Sequence, residues 1–166
     1  MTAATEPCYT FLYIFVAYIR LLRNSITMGL EKYESKQQQI FKPAASIYPF
    51  ISRFDMLTPA LKDKVEEWSA TEDTCSFKVK GFTLKLRIAE RAENRHVKIT
   101  GDGEDGLPVD FAFWIQLHQV SDNDTRMRLV LHANLNMVLR MMIGGKIQGG
   151  LDNAVEGLAT AFNQMP

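Results

Sequence analysis

Through the middle of the chain, apolar and polar residues alternate with a period of two, the signature of strands with one buried and one solvated face. Over residues 74–80, Cys75, Phe77 and Val79 alternate with Ser76, Lys78 and Lys80. Beyond Gly81, Phe82, Leu84, Leu86 and Ile88 alternate with Thr83, Lys85 and Arg87. Residues 96–100 repeat the pattern with Val97 and Ile99 inward. Two longer strands are predicted next. One, over about 109–120, puts Val109, Phe111, Phe113, Ile115 and Leu117 on one face, and the other, over about 125–136, puts Met127, Leu129, Leu131, Ala133 and Leu135 on the same side. Ser121-Asp122-Asn123-Asp124 is the turn between them, and the glycine-rich acidic tract Gly101 to Gly106 is a turn by composition. A weaker strand is expected over 65–71. The polar stretch 30–42 makes no amphipathic helix and halts before Pro43, which suits a first strand.

The helical period appears in three places. Pro43 suits a first helical turn, and Ile47, Phe50, Ile51 and Phe54 mark one apolar face, so a helix is predicted over about 43–54, shortened or bent by Pro49. A second short helix or turn is expected over about 58–63. The chain closes on a long helix from about Met137 to Gln164, in which Ile143, Ile147, Leu151, Val155, Leu158 and Phe162 form a stripe. Gly144, Gly145, Gly149 and Gly150 lower its helix propensity by up to about 1 kcal/mol each relative to alanine. Close approach to the sheet, or room for a ligand beside the helix, would explain them.

A length of 166 residues suits one domain with a sizeable core. Lysine plus arginine equals aspartate plus glutamate at 19 each, so no net field draws the chain to nucleic acid or an anionic membrane. Cys8 and Cys75 make neither a disulfide framework nor a metal site, which fits a reducing compartment and a cytoplasmic location. Residues 1–27 stand apart. The apolar run from Phe11 to Ile19 is shorter than the roughly 20 residues a spanning helix needs, and Glu6 sits where a signal peptide would be basic. The segment reads as an N-terminal extension, either an upstream start before Met28 or a weak anchor that Arg20 and Arg23 would orient with the domain in the cytoplasm; only in the second case is a membrane a partner. Residues 28–166 form the domain.

The order of strand, two short helices, antiparallel strands and one long C-terminal helix resembles the START-like or SRPBCC superfamily, which includes the birch pollen allergen and START lipid-transfer domains. The resemblance is carried by Lys42-Pro43-Ala44-Ala45-Ser46-Ile47-Tyr48-Pro49-Phe50 and by the strand from Leu129 to Asn136 running into the methionine-rich start of the last helix, and the small bacterial, polyketide cyclase-like members look most similar. It implies an α+β helix-grip fold, a curved antiparallel sheet of about seven strands wrapped on the last helix. Between them it implies a cavity for lipids, sterols, polyketides or other apolar molecules. The family also contains enzymes, so fold alone does not decide function.

Catalytic chemistry is sparse. His118 and His132 fall on the polar phase of their strands, His96 starts a strand beside a loop, and their spacing matches no zinc site. No P-loop or nucleophile elbow is present, and the Gly-x-Gly-x-x-Gly letters at Gly101 precede a strand and carry three acids that would repel phosphate, so no cofactor is expected. Cys75 lies among apolar neighbours and reads as a buried thiol. Trp114 is on the outer phase, while Trp68 and Tyr48 suit a pocket mouth. Lys78, Lys80, Lys85, Arg87, Arg126 and Arg128 share one phase, a solvated convex face rather than a nucleic-acid surface, because the aromatics lie mostly on the other phase. Met137, Met141 and Met142 suit either an adaptable ligand wall or gap filling. The expected function is non-enzymatic binding or carriage of a small hydrophobic molecule, held by Phe77, Phe82, Leu84, Phe111, Phe113, Met127 and Leu129 from the sheet and by Met142, Ile143, Ile147 and Leu151 from the helix. The alternatives are an aromatase or cyclase-type enzyme, which needs a carboxylate or histidine facing the cavity, and an interaction module whose cavity has collapsed.

Overall fold

The computed structural model describes residues 30–79, 81–102 and 110–166, without the side chains of Ala60, Val79, Phe82 and Leu139. The extension over residues 1–27, most of the glycine-rich acidic turn, Lys80 and Val109 lie outside the described residues. The architecture is α+β. In chain order come β1 (Leu30–Glu34), β2 (Gln38–Ile40), α1 (Ala44–Ile51), a 3-10 turn (Asp55–Leu57), α2 (Thr58–Leu61), β3 (Glu66–Ala70), β4 (Thr74–Val79), β5 (Phe82–Ala92), β6 (His96–Gly101), β7 (Phe111–Ser121), β8 (Asp124–Asn134) and α3 (Met137–Gln164). The strands form one antiparallel sheet in the order β1-β8-β7-β6-β5-β4-β3, with β2 also paired to β8.

The predicted first strand is thus two short strands on one edge, broken at Ser35. The break is compensated chemically. Ser35 donates its N–H to the Leu129 carbonyl, and its Oγ accepts the Leu129 N–H at 2.9 Å, so the ladder of β8 loses no partner where the strand interrupts. The two long strands pair as their patterns require: Phe111 faces Ala133, Phe113 faces Leu131, Ile115 faces Leu129 and Leu117 faces Met127. Ile115, Leu117, Met127 and Leu129 are buried with Val97 and Ile99 of β6. Each such side chain stabilises the fold by roughly 1.5–3 kcal/mol through burial.

Helix α1 ends at Ile51, earlier than the expected Phe54, and Pro49 lies within it. Its first N–H, on Ala44, is satisfied by Gln119 Oε1 at 2.9 Å, and its last turn by Arg91 Nε, which donates to the Ser52 carbonyl at 3.0 Å. Phe54 and Asp55 donate their N–H groups to the carbonyls of Glu72 and Thr71 in the β3–β4 turn, fixing the 3-10 turn over the sheet.

Helix α3 is fastened along one edge of the sheet. Asn163 accepts the Phe41 N–H at 2.8 Å and donates to the Gln39 carbonyl at 3.1 Å, which continues the β2 edge as a strand would. Asp152 accepts the Lys36 N–H at 2.7 Å, and Gln148 donates to the Glu34 carbonyl at 2.7 Å. All of these ties run to the β1–β2 side. Leu151, Val155, Ala159 and Phe162 complete the core beneath them.

Candidate functional site

Because α3 is bound to one edge, the opposite half of the sheet, β3 to β6, is left beneath α1, α2 and the free flank of the helix. An apolar cavity of about 370 Å³ lies there. Ile51, Phe54, Leu57 and Leu61 form its roof, and Phe77, Leu86, Ile99, Phe113 and Ile115 rise from the inner face of four strands. The helix side consists of Ala154, Gly157, Leu158 and Ala161, with Asn153 at its rim. Small side chains at 154, 157 and 161 lie along one flank of α3, and their lack of volume keeps the helix from filling the space.

Trp68 closes one end. Ser69 lies opposite Ser76 and Ala70 opposite Cys75, so alternation from Ala70 turns Trp68 inward beside Phe77, while Glu67, an extra residue with a φ of 52°, forms a bulge that lets Glu66 lie opposite Lys78 on the outer face. The indole lies against Phe77, with ring centroids 5.9 Å apart, and its Nε1 donates to Thr58 Oγ1 at 2.9 Å, joining β3 to α2. Trp68 was expected near a pocket mouth; Tyr48 packs against the core and does not line the cavity.

Of the residues expected to hold a ligand, Phe77 and Phe113 line the cavity. Leu84 pairs with Phe77 across β4 and β5 but stands outside it, as does Phe111, whose ring packs over Gly101. Met127, Leu129 and Leu151 are buried in the core between β8 and α3, with Ile147 packed against them. Met142 is 65% exposed and Ile143 37% exposed, because the first half of α3 extends past the cavity. The Phe82 side chain lies outside the described residues. The cavity therefore lies toward the second half of α3 and toward the short helices. Leu86, Ile99 and Ile115 share the phase already read as inward, and the spacing of Ala154, Gly157 and Ala161 was the signal for the helix wall. The roof had no comparable signal, since apolar residues around a turn look alike whether they face a core or a void.

The chemistry of the lining is nearly uniform. Among the described lining residues, Lys64 and Asn153 carry strongly polar side chains, both exposed, and none carries a carboxylate or imidazole. Cys75 adds a thiol whose pKa burial pushes up to about 12, so it is protonated at neutral pH. The histidines lie elsewhere: His132 packs on Trp114 with centroids 4.7 Å apart, His118 is exposed, and His96 contacts Glu90 at 2.9 Å. Among the described residues, no group of three His, Cys, Asp or Glu side chains is placed to hold a metal ion. The outer-face cations are interleaved with acceptors, with Arg126 on Asp124, Arg128 on Glu34 and Gln116, and Lys78 near Glu67. No helix among the described residues is long and apolar enough to cross a membrane.

No family model matches the chain, and no curated protein matches it. Solved structures do. Norcoclaurine synthase from Thalictrum flavum, in complex with dopamine and hydroxybenzaldehyde, aligns with a TM-score of 0.66 over 84% of this chain and 91% of that one, at 13% identity. A protein from Thermobifida fusca, solved by NMR, aligns with a TM-score of 0.60 over 80% of this chain and 93% of its own, at 13% identity. One from Mesorhizobium loti gives 0.60 over 82% and 99%, at 13% identity. The fold is a helix grip. These helix-grip neighbours share the sheet wrapped on a C-terminal helix, and at such identities the likeness concerns fold alone. The helix-grip frame here carries an apolar cavity lined by this chain's own residues.

Proposed function

We propose that this helix-grip protein binds or carries a small hydrophobic molecule in the cavity between β3–β7, the short helices and α3, without transforming it. The observation that carries this reading is the apolar cavity of about 370 Å³, within the range of small-molecule sites and too large for a collapsed core. At about 30 Å³ per water, it has the room of roughly a dozen waters, which suits a compact apolar compound of about a dozen non-hydrogen atoms better than a two-chain lipid. Desolvation of the ligand against Phe54, Trp68, Phe77 and Phe113 supplies the affinity.

The likeness to norcoclaurine synthase favours an enzymatic second reading, because that protein is a synthase found with two small aromatic compounds. Proton transfer on such substrates needs a positioned acid or base, and the described lining offers neither a carboxylate nor an imidazole, while its one amine, Lys64, is exposed to solvent. Binding therefore stands ahead of catalysis. Native mass spectrometry of the full chain purified from its own cells, with organic extraction of what co-purifies, tests the reading. A stoichiometric low-mass apolar compound is expected. An apo mass that stays unshifted by a library of small apolar compounds would overturn it.

A further inference from the structure

We infer that the ligand is an amphipathic monoanion, an apolar or aromatic body bearing one carboxylate, whose head is held at the cavity rim by Lys64 and Asn153. The inference rests on the binding reading above and narrows it to a ligand class. Lys64 follows α2 and Asn153 projects from α3, so the two belong to separate elements bordering the same space. Both side chains are exposed, and among the described residues neither has an ion-pair or hydrogen-bond partner of its own. The neighbouring carboxylate of Asp152 is engaged on the Lys36 N–H at 2.7 Å and lies outside the lining.

A ligand with its body among Phe54, Trp68, Phe77 and Phe113 meets in the interior only the weakly polar Cys75 thiol, whereas the strongly polar lining residues, Lys64 and Asn153, are exposed and can take a polar end. The Lys64 ammonium can donate to a carboxylate, and the Asn153 amide supplies a second donor. An amine at the same place would meet Lys64 as a like charge with no lining carboxylate to balance it. The rim thus selects by sign, whereas the interior selects by shape.

The test uses three probes with one body and different heads: 4-phenylbutanoate, 4-phenylbutan-1-ol and 4-phenylbutylamine, titrated calorimetrically into the full chain at neutral pH and low salt. The acid is expected to bind about tenfold more tightly than the alcohol, as one charge-assisted hydrogen bond at a wet rim provides, and the amine more weakly than either. Lys64→Met keeps the aliphatic stem and should bring the acid down to the level of the alcohol measured in the same variant; Lys64→Arg should keep the preference. Unchanged thermal melting of both variants separates loss of the head contact from loss of the fold. Equal affinity for all three probes, or an acid preference that survives Lys64→Met, overturns the inference and leaves the binding reading standing. If none of the probes binds and the native protein carries no compound, the binding reading fails and this one falls with it.

Discussion

Cys75 shows how the same side chain can look reactive in composition and inert in place. It sits opposite Leu86 on the inner face of the sheet and lines the cavity, with a pKa raised by burial from 9.0 to about 12. The folded protein therefore keeps a proton that the unfolded chain loses above about pH 9. By linkage, this contribution to stability is complete below that pH and is lost as pH rises toward about 12. Urea unfolding between pH 9 and 11.5 should show a steeper decline for the parent than for Cys75→Ala; the Tyr48 phenol, whose pKa burial also raises, is common to both and cancels in the comparison. Parallel slopes would mean that the thiol is not held protonated by the fold. The same burial predicts that, in a Cys8→Ser background, Ellman's reagent at pH 8 labels Cys75 only on denaturation.

The glycines of α3 divide by what surrounds them. An added Cβ at Gly144 would lie 3.3 Å from the Tyr33 hydroxyl, whereas at Gly145, Gly149 and Gly150 it meets nothing within 4 Å. Close approach to the sheet thus accounts for Gly144 and for none of the other three. Alanine at 145, 149 or 150 should raise stability by up to about 1 kcal/mol each through helix propensity, and Gly144→Ala should gain less because the tyrosine must give way; ranked melting temperatures check this. Equal gains at all these positions would show that the helix makes no tight contact at Tyr33. The outline of α3 was legible because its stripe of period 3.6 runs unbroken from Ile143 to Phe162, and β7 and β8 were legible because period two fixes register wherever one face is buried. What periodicity cannot register is an element that departs from it. The bulge at Glu67 shifts the phase of Glu66 relative to Trp68 and Ala70, Ser35 splits the first strand through a side-chain hydrogen bond, and the fastening of α3 to β1–β2 depends on single polar residues such as Asn163 and Gln148. Those departures set where the helix lies, and so they moved the cavity from the expected Met142–Leu151 half to the Asn153–Ala161 half.

At the scale of the molecule, a sheet this long cannot be covered by one helix tied to its edge, and the uncovered inner face is closed by α1, α2 and the 3-10 turn without being filled. Val97 and Ile99 test whether that space is real, since they sit two residues apart on the inner face of β6 with different surroundings. Val97 is wholly buried within the core, whereas Ile99 borders the cavity. Val97→Phe must force its ring into packed side chains and should cost about 1–3 kcal/mol. Ile99→Phe instead projects its added atoms into empty apolar space, where burial of about 0.8 kcal/mol per added methylene equivalent offsets local adjustment, so stability should stay within about 1 kcal/mol of the parent. Ligand uptake should weaken in the same variant, because the ring takes up part of the volume available to the ligand. Denaturant unfolding and titration with 4-phenylbutanoate measure the two effects separately. Equal destabilisation by both substitutions would mean that side chains close the space in solution, whereas a stable Ile99→Phe protein that binds less tightly would tie the unfilled half of the sheet to the ligand.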